Sequence, residues 1–106
     1  GDLYYDLAKL YGGMHINYDY IKKNYMNYSE GSKGISFYIK TRKIMKNYIY
    51  DFENFVIENN LQMKKIKLLL PIIFLNMSPL HNFPFNKILF SYSKMLFEDF
   101  FSQNDY

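Results

Sequence analysis

Two histidines and a scatter of carboxylates are the side chains here with the chemistry for acid–base catalysis or metal binding. His15 and His81 are the only histidines, and neither lies in a metal-binding pattern such as H-E-x-x-H. A zinc site would need further ligands, which the chain supplies only as dispersed aspartates and glutamates. We therefore predict no metal site and no catalytic residue. His15 and His81 remain candidate substrate-side residues, against the plainer interpretation that each is packed or simply exposed.

Motifs for nucleotide binding and for activated nucleophiles are absent from the sequence. It contains no G-x-G-x-x-G, no G-x-x-x-x-G-K-[ST] and no G-x-S-x-G. The pair Glu98-Asp99 falls near the end of a predicted helix, where we interpret it as part of a solvated face. The sequence thus predicts a chain without a complete catalytic site of its own.

The composition is typical of a folded and mildly basic protein. The 106 residues are 49% hydrophobic and 21% aromatic, with no cysteine and a net charge of +3. The lysines form short clusters diluted by apolar residues, whereas a nucleic-acid-binding protein concentrates its charge on one face. No apolar run approaches the roughly 18 to 20 residues of a membrane span, and no signal peptide is apparent. We expect a single cytoplasmic helical domain over residues 1–106, as a piece of a longer protein.

The spacing of apolar residues predicts an all-α fold of about five helices, with at most one short extended segment. Asp2 is a plausible N-cap for the first helix, which we expect Gly12-Gly13 to end. A second helix is predicted over 18–28, with Asn17 or Asp19 as its cap. The apolar face of the first helix comprises Leu3, Leu7, Leu10 and Tyr11.

The rest of the chain predicts a loop, a short extended stretch and three more helices. Residues 29–34 are polar and carry two glycines, so we expect a surface loop, and residues 35–40 alternate as a strand does. Pro71 lacks an N–H group, so we expect a kink or a break there. The three helices are predicted over 44–58, 62–77 and 84–101. The apolar face of the last helix comprises Phe85, Ile88, Leu89, Tyr92, Leu96 and Phe100.

Two segments resemble a known enzyme family. Residues 1–10, G-D-L-Y-Y-D-L-A-K-L, resemble the G-D-P-x-x-D-L-A segment of the aminoglycoside phosphotransferase and choline kinase-like family, which are small-molecule relatives of the protein kinases. Residues 74–81, F-L-N-M-S-P-L-H, resemble a helix-end M-x-P-L-H of some bacterial members. The order and spacing of the two segments suit the C-terminal lobe of that family. Leu3 departs from the pattern, because proline is usual there.

The resemblance implies the C-terminal helical subdomain of an ATP-dependent small-molecule phosphotransferase. Asp6 would accept hydrogen bonds from the backbone of the catalytic loop and support its shape. The plainer interpretation of Asp6 is a first-turn carboxylate that favours the helix dipole. The phosphate loop, the nucleotide-binding lysine, the catalytic residues and the magnesium ligand would all lie upstream of Gly1. ATP and magnesium are therefore implied for the parent enzyme, and no cofactor for this chain.

The implied partners are the upstream part of the same protein and a small-molecule acceptor. An exposed apolar face would also favour a homo-oligomer. The alternative function is a freestanding helical protein-interaction module that uses exposed tyrosines and lysines. The two hypotheses differ in what precedes Gly1 in the gene.

Overall fold

The computed structural model describes residues 2–16, 23, 26–41 and 43–104. A helix, a β-hairpin and three further helices follow one another along these residues. A single 3₁₀ turn, Ser78–Leu80, precedes the last helix. The elements are α1 (Leu3–His15), β1 (Met26–Gly31), β2 (Gly34–Ile39), α2 (Lys43–Glu58), α3 (Met63–Met77) and α4 (Phe85–Asn104).

The hairpin overturns the prediction of an all-α fold with about five helices. The described residues form four α-helices and one two-stranded antiparallel sheet, which is a mixed α+β arrangement. The helix predicted over 18–28 is wrong at its end, because residues 26–28 belong to β1. Its remaining residues, apart from 23, lie outside the described residues, as do the proposed caps Asn17 and Asp19. Pairing across the strands, such as Tyr28 opposite Phe37, decides the local conformation instead.

The tip of the hairpin lies where the sequence predicted a loop. Residues 32 and 33 form the turn, and Gly31 pairs with Gly34 on either side of it. Gly34 has a φ of 120°, a conformation that side chains disfavour. The polar residues before the turn belong to a strand, and the hydroxyls of Ser29 and Ser36 lie 2.7 Å apart across the sheet.

Helix α1 runs through the two glycines that were predicted to end it. Gly12 is buried, and a Cβ atom there would approach Cδ1 of Leu70 to 2.8 Å and Cε1 of Phe74 to 3.1 Å. The glycine therefore allows α1 to pack closely on α3. The helix ends at His15, where the backbone N–H of Ile16 donates to the carbonyl of Gly12.

Helices α3 and α4 supply most of the buried core, and the apolar face of α4 predicted its part. Pro71 is buried inside α3, which runs through it unbroken; of the predicted kink or break, the break is wrong and the kink stays a prediction. Ser93 of α4 is also buried, and its hydroxyl donates to the carbonyl of Pro71 at 2.7 Å. The core residues of these two helices include Ile66, Leu70, Ile73, Phe74, Phe85, Ile88 and Leu89.

Helix α2 begins and ends close to the predicted positions and lies at the edge of the molecule. It buries only Phe52 and Val56. Asn59 donates its side-chain amide to the carbonyl of Phe55, and Asn60 takes a φ of 58°, so the two asparagines end the helix. In the part of the chain that the structure describes, no helix combines the length and the apolarity needed to cross a membrane.

Candidate functional site

Helices α1, α3 and α4 border a cavity of about 450 Å³ that is partly open to solvent. Its walls mix apolar side chains with hydroxyl, imidazole, amine, carboxylate and amide groups. Helix α1 is separated in sequence from α3 and α4 by the hairpin and α2, so the cavity exists only once the core has formed. The lining residues are Tyr11, His15, Met63, Lys64, Lys67, Leu70, Tyr92, Leu96, Asp99, Phe100 and Gln103.

Tyr11 is buried at one side of this cavity and held by contacts with α2. Only 5% of its surface is exposed, and its ring stacks on Phe52 with 5.1 Å between the centroids. Its hydroxyl donates to a carboxylate oxygen of Glu53 at 2.6 Å. Burial raises the pKa of Tyr11, and the hydrogen bond to Glu53 raises it further. The phenol therefore stays protonated at neutral pH, where it fixes α1 against α2.

His15 presents a neutral imidazole to the cavity. Burial lowers the pKa of His15, against the opposing effects of the hydrogen bond to the Tyr11 carbonyl and of the Glu53 charge. Nδ1 of the ring lies 2.9 Å from that carbonyl, so Nδ1 carries the proton and donates it. Nε2 is then unprotonated and able to accept a hydrogen bond from a ligand.

Charged groups from α3 and α4 line the remaining walls. Lys64 and Lys67 are three residues apart on α3, so they share one face of that helix. Asp99 and Gln103 are four residues apart on α4 and do the same. Asp99 is exposed, as predicted for a solvated face, yet it lines the cavity. Burial raises the pKa of Tyr92, and the charge of Asp99 adds to that effect.

The structure separates the two histidines that the sequence singled out. His81 lines a different cavity, of about 310 Å³, whose other lining residues are almost all apolar. Its ring meets Phe85 edge-on with 4.8 Å between the centroids. His15 thus lies among polar groups and His81 does not, which favours plain packing for His81. Asp6 lines neither of these cavities and is exposed on α1.

The arrangement is suited to binding a small polar molecule. Among the described residues, no three histidine, aspartate or glutamate side chains come together as a metal site would require.

Sequence reasoning found His15 by its residue type and missed Tyr11, Lys64, Lys67 and Asp99. The available signal was the three-residue spacing of Lys64 and Lys67, which puts them on one face of a helix; no local spacing places Asp99 beside them. No family model, no curated protein and no solved structure matches the chain.

Proposed function

We propose that this chain is the C-terminal helical subdomain of an ATP-dependent small-molecule phosphotransferase, inactive alone, which shapes the acceptor side of the cleft. The observation that carries the proposal is the start of α1. This is the segment that resembles the family's G-D-P-x-x-D-L-A, and it opens a helix as it does in the family. Asp2 caps that helix, its carboxylate accepting from the backbone N–H of Tyr4 at 2.9 Å. Asp6 follows one turn later and is exposed.

The outward face of α1 supports a role in contact with another part of the protein. Ala8 and Gly12 face the core. Leu3 and Leu10 are each 56% exposed, and they lie three and four residues from Asp6, so the three side chains share a face. A carboxylate flanked by two exposed leucines suits a surface that a polypeptide loop covers. Under this proposal the covering segment is the catalytic loop.

The cavity at His15 supplies a concave surface for an acceptor. Pockets for small molecules have volumes of about 300–1,000 Å³, and this one is about 450 Å³. ATP and magnesium would be bound by the upstream part of the protein, because phosphoryl transfer depends on their positioning. A cytoplasmic location belongs to the same proposal.

The test begins with the gene upstream of Gly1. That sequence should encode an H-x-D-x-x-x-x-N stretch followed by an aspartate. The longer protein, supplied with ATP and magnesium, should phosphorylate one of a panel of sugars, amino alcohols and glycan precursors, whereas residues 1–106 alone should not. Magnesium-dependent turnover by the 106-residue chain would contradict the proposal, and so would an upstream sequence without that pattern.

A freestanding interaction module is the second candidate, and exposed apolar side chains on two sides of α2 favour it: Tyr48 with Phe55 on one side, and Tyr50 with Ile57 on the other. Tyr48, Tyr50, Phe55 and Ile57 are each at least half exposed, at 50%, 66%, 50% and 64%. Such a surface would equally suit a homo-oligomer. The enzyme assay separates the two candidates, since an interaction module transfers no phosphate at any chain length.

A further inference from the structure

We infer that the cavity between α1, α3 and α4 binds a sugar monophosphate. The inference rests on the proposed function only where it identifies this ligand as the acceptor; the binding itself is argued from the cavity. Three properties of the described lining residues carry it: the apolar walls, the lysines on the α3 side and the hydrogen-bonding groups on the other sides.

The apolar part of the lining suits the face of a sugar ring. Leu70 and Phe100 are buried, and Leu96 is half-buried. Tyr92 adds an aromatic ring to the same lining, where it stacks on Phe74 with 5.7 Å between the centroids. Side chains held in this way offer a fixed apolar surface to the C–H groups of a pyranose, and a volume of about 450 Å³ is sufficient for one such ring.

The charges of the lining favour an anion. Among the described lining residues the lysines lie on α3, where Lys67 brings a positive charge, and the carboxylate of Asp99 lies on α4. Lysine is a common phosphate ligand, acting as a point charge. The α3 side of the cavity is therefore the side on which we expect the phosphate.

The other hydrogen-bonding groups of the lining favour hydroxyls on the remainder of the ligand. Nε2 of His15 accepts hydrogen bonds, Asp99 accepts them as a carboxylate, and Gln103 both donates and accepts. A cationic amino alcohol suits the cavity less well. Asp99 is the one carboxylate among the described lining residues, and the carboxylate of Glu53 already accepts the hydroxyl of Tyr11.

The experiment is a calorimetric titration of the 106-residue chain with a hexose 1-phosphate, the unphosphorylated hexose, inorganic phosphate and choline. The variants are Lys67→Gln and, as a matched control, Lys94→Gln, which changes an exposed lysine of α4 that does not line the cavity. Both variants alter exposed residues, so both should melt as the wild type does.

The hexose phosphate should bind at least about tenfold more tightly than the other three ligands. Lys67→Gln should weaken that binding by about tenfold, since a hydrogen bond to a charged group contributes that much or more, and Lys94→Gln should leave it unchanged.

Several results would overturn the inference: no binding of the hexose phosphate, equal binding of inorganic phosphate or choline, or the same loss in both lysine variants. Its failure differs from failure of the proposed function. If the longer protein phosphorylates another acceptor and the hexose phosphate does not bind here, this inference is wrong and the proposed function stands. If the hexose phosphate binds here and the longer protein transfers no phosphate, the proposed function is wrong and the cavity's ligand class stands.

Discussion

The hydroxyl of Tyr11 donates a 2.6 Å hydrogen bond to Glu53 and so joins α1 to α2 beside the cavity. Helix α2 buries only two of its own side chains, Phe52 and Val56, and this bond adds to their packing. The same phenol ring lies edge-on to the imidazole of His15 at 4.4 Å between the centroids. The position of His15 therefore depends on a contact with α2, which does not itself line the cavity.

Removing that hydroxyl should destabilise the fold measurably. Tyr11→Phe keeps the ring and loses a hydrogen bond to a charged group, worth about 1.5–3 kcal/mol. Glu53 is only half-buried and regains water, so we expect about 1.5 kcal/mol from urea denaturation followed by circular dichroism. The control is Tyr28→Phe, which breaks a bond of the same 2.6 Å length to Glu30 at the surface. Equal losses in the two variants would show that burial of Tyr11 does not matter.

The two adjacent glycines of α1 should respond to alanine in opposite directions. In an exposed helix, alanine is favoured over glycine by about 1 kcal/mol. A Cβ atom on Gly13 meets nothing within 4 Å, so Gly13→Ala should stabilise by about 0.5–1 kcal/mol. A Cβ atom on Gly12 meets the buried side chains of Leu70 and Phe74, so Gly12→Ala should destabilise by about 1–2 kcal/mol. Thermal and urea denaturation of both variants measure this difference, and stabilisation by Gly12→Ala would refute the close packing of α1 on α3.

The helices could be predicted from the sequence because their signals are local. Asp2 does cap α1, and Phe85, Ile88 and Leu89 of α4 are buried as their spacing indicated. The hairpin could not be predicted in the same way, because β1 depends on partners across the sheet. Tyr28 follows Ile21 by seven residues and Tyr25 by three, which is the spacing of a helix face. Its pairing with Phe37 across the sheet makes it a strand residue instead.

The candidate site depended still more on contacts between distant residues. Gly12 was interpreted as a helix end because glycine often has that role, whereas its place against Leu70 comes from α3, more than fifty residues away in sequence. His15 was selected by residue type alone. Lys67 and Asp99 come together with it only through packing of three helices, which no spacing within one helix encodes.

His15 should make the stability of the chain depend on pH near neutrality. Its pKa in the fold is lowered below the ordinary value of 6.5, chiefly by burial. The unfolded chain therefore takes up the proton first as the pH falls, and its uptake favours unfolding. The stabilisation is present above pH 6.5 and decreases as the pH falls through 6.5 towards the lower pKa of the folded state.

The measurement is the free energy of unfolding of wild type and His15→Gln at pH 7.5 and pH 5.5. The wild type should lose more stability between the two pH values than the variant does. Carboxylates titrate mostly at lower pH and are the same in both proteins. Equal changes in the two proteins would show that His15 is not held neutral by burial.

The exposed leucines of α1 should matter only in the longer protein that we propose. Glutamine matches leucine closely in helix propensity, so Leu3→Gln and Leu10→Gln should each change the stability of residues 1–106 by less than about 0.5 kcal/mol. If another segment covers this face in the longer protein, each substitution there should cost about 2–4 kcal/mol. Ile57→Gln, at an exposed position of α2, is the control and should have little effect in either protein. The same small effect for all three variants in the longer protein would mean that the α1 face stays uncovered.

Asp6 is the residue on which the two interpretations differ most. As a first-turn carboxylate it interacts with the helix dipole, so Asp6→Asn should cost residues 1–106 about 0.3–1 kcal/mol and nothing more. If Asp6 also accepts hydrogen bonds from a catalytic loop, the same change in the longer enzyme should lower kcat with little loss of folding. A hydrogen bond to a charged group is worth about 1.5–3 kcal/mol, and about 1.4 kcal/mol corresponds to a tenfold change in rate. We therefore expect kcat to fall by about ten- to a hundredfold in steady-state kinetics, with thermal melts showing that the variant is folded.

Asp51→Asn, which changes an exposed carboxylate of α2, should leave kcat unchanged. An unchanged kcat in folded Asp6→Asn would remove the reason for placing this face of α1 beside a catalytic loop.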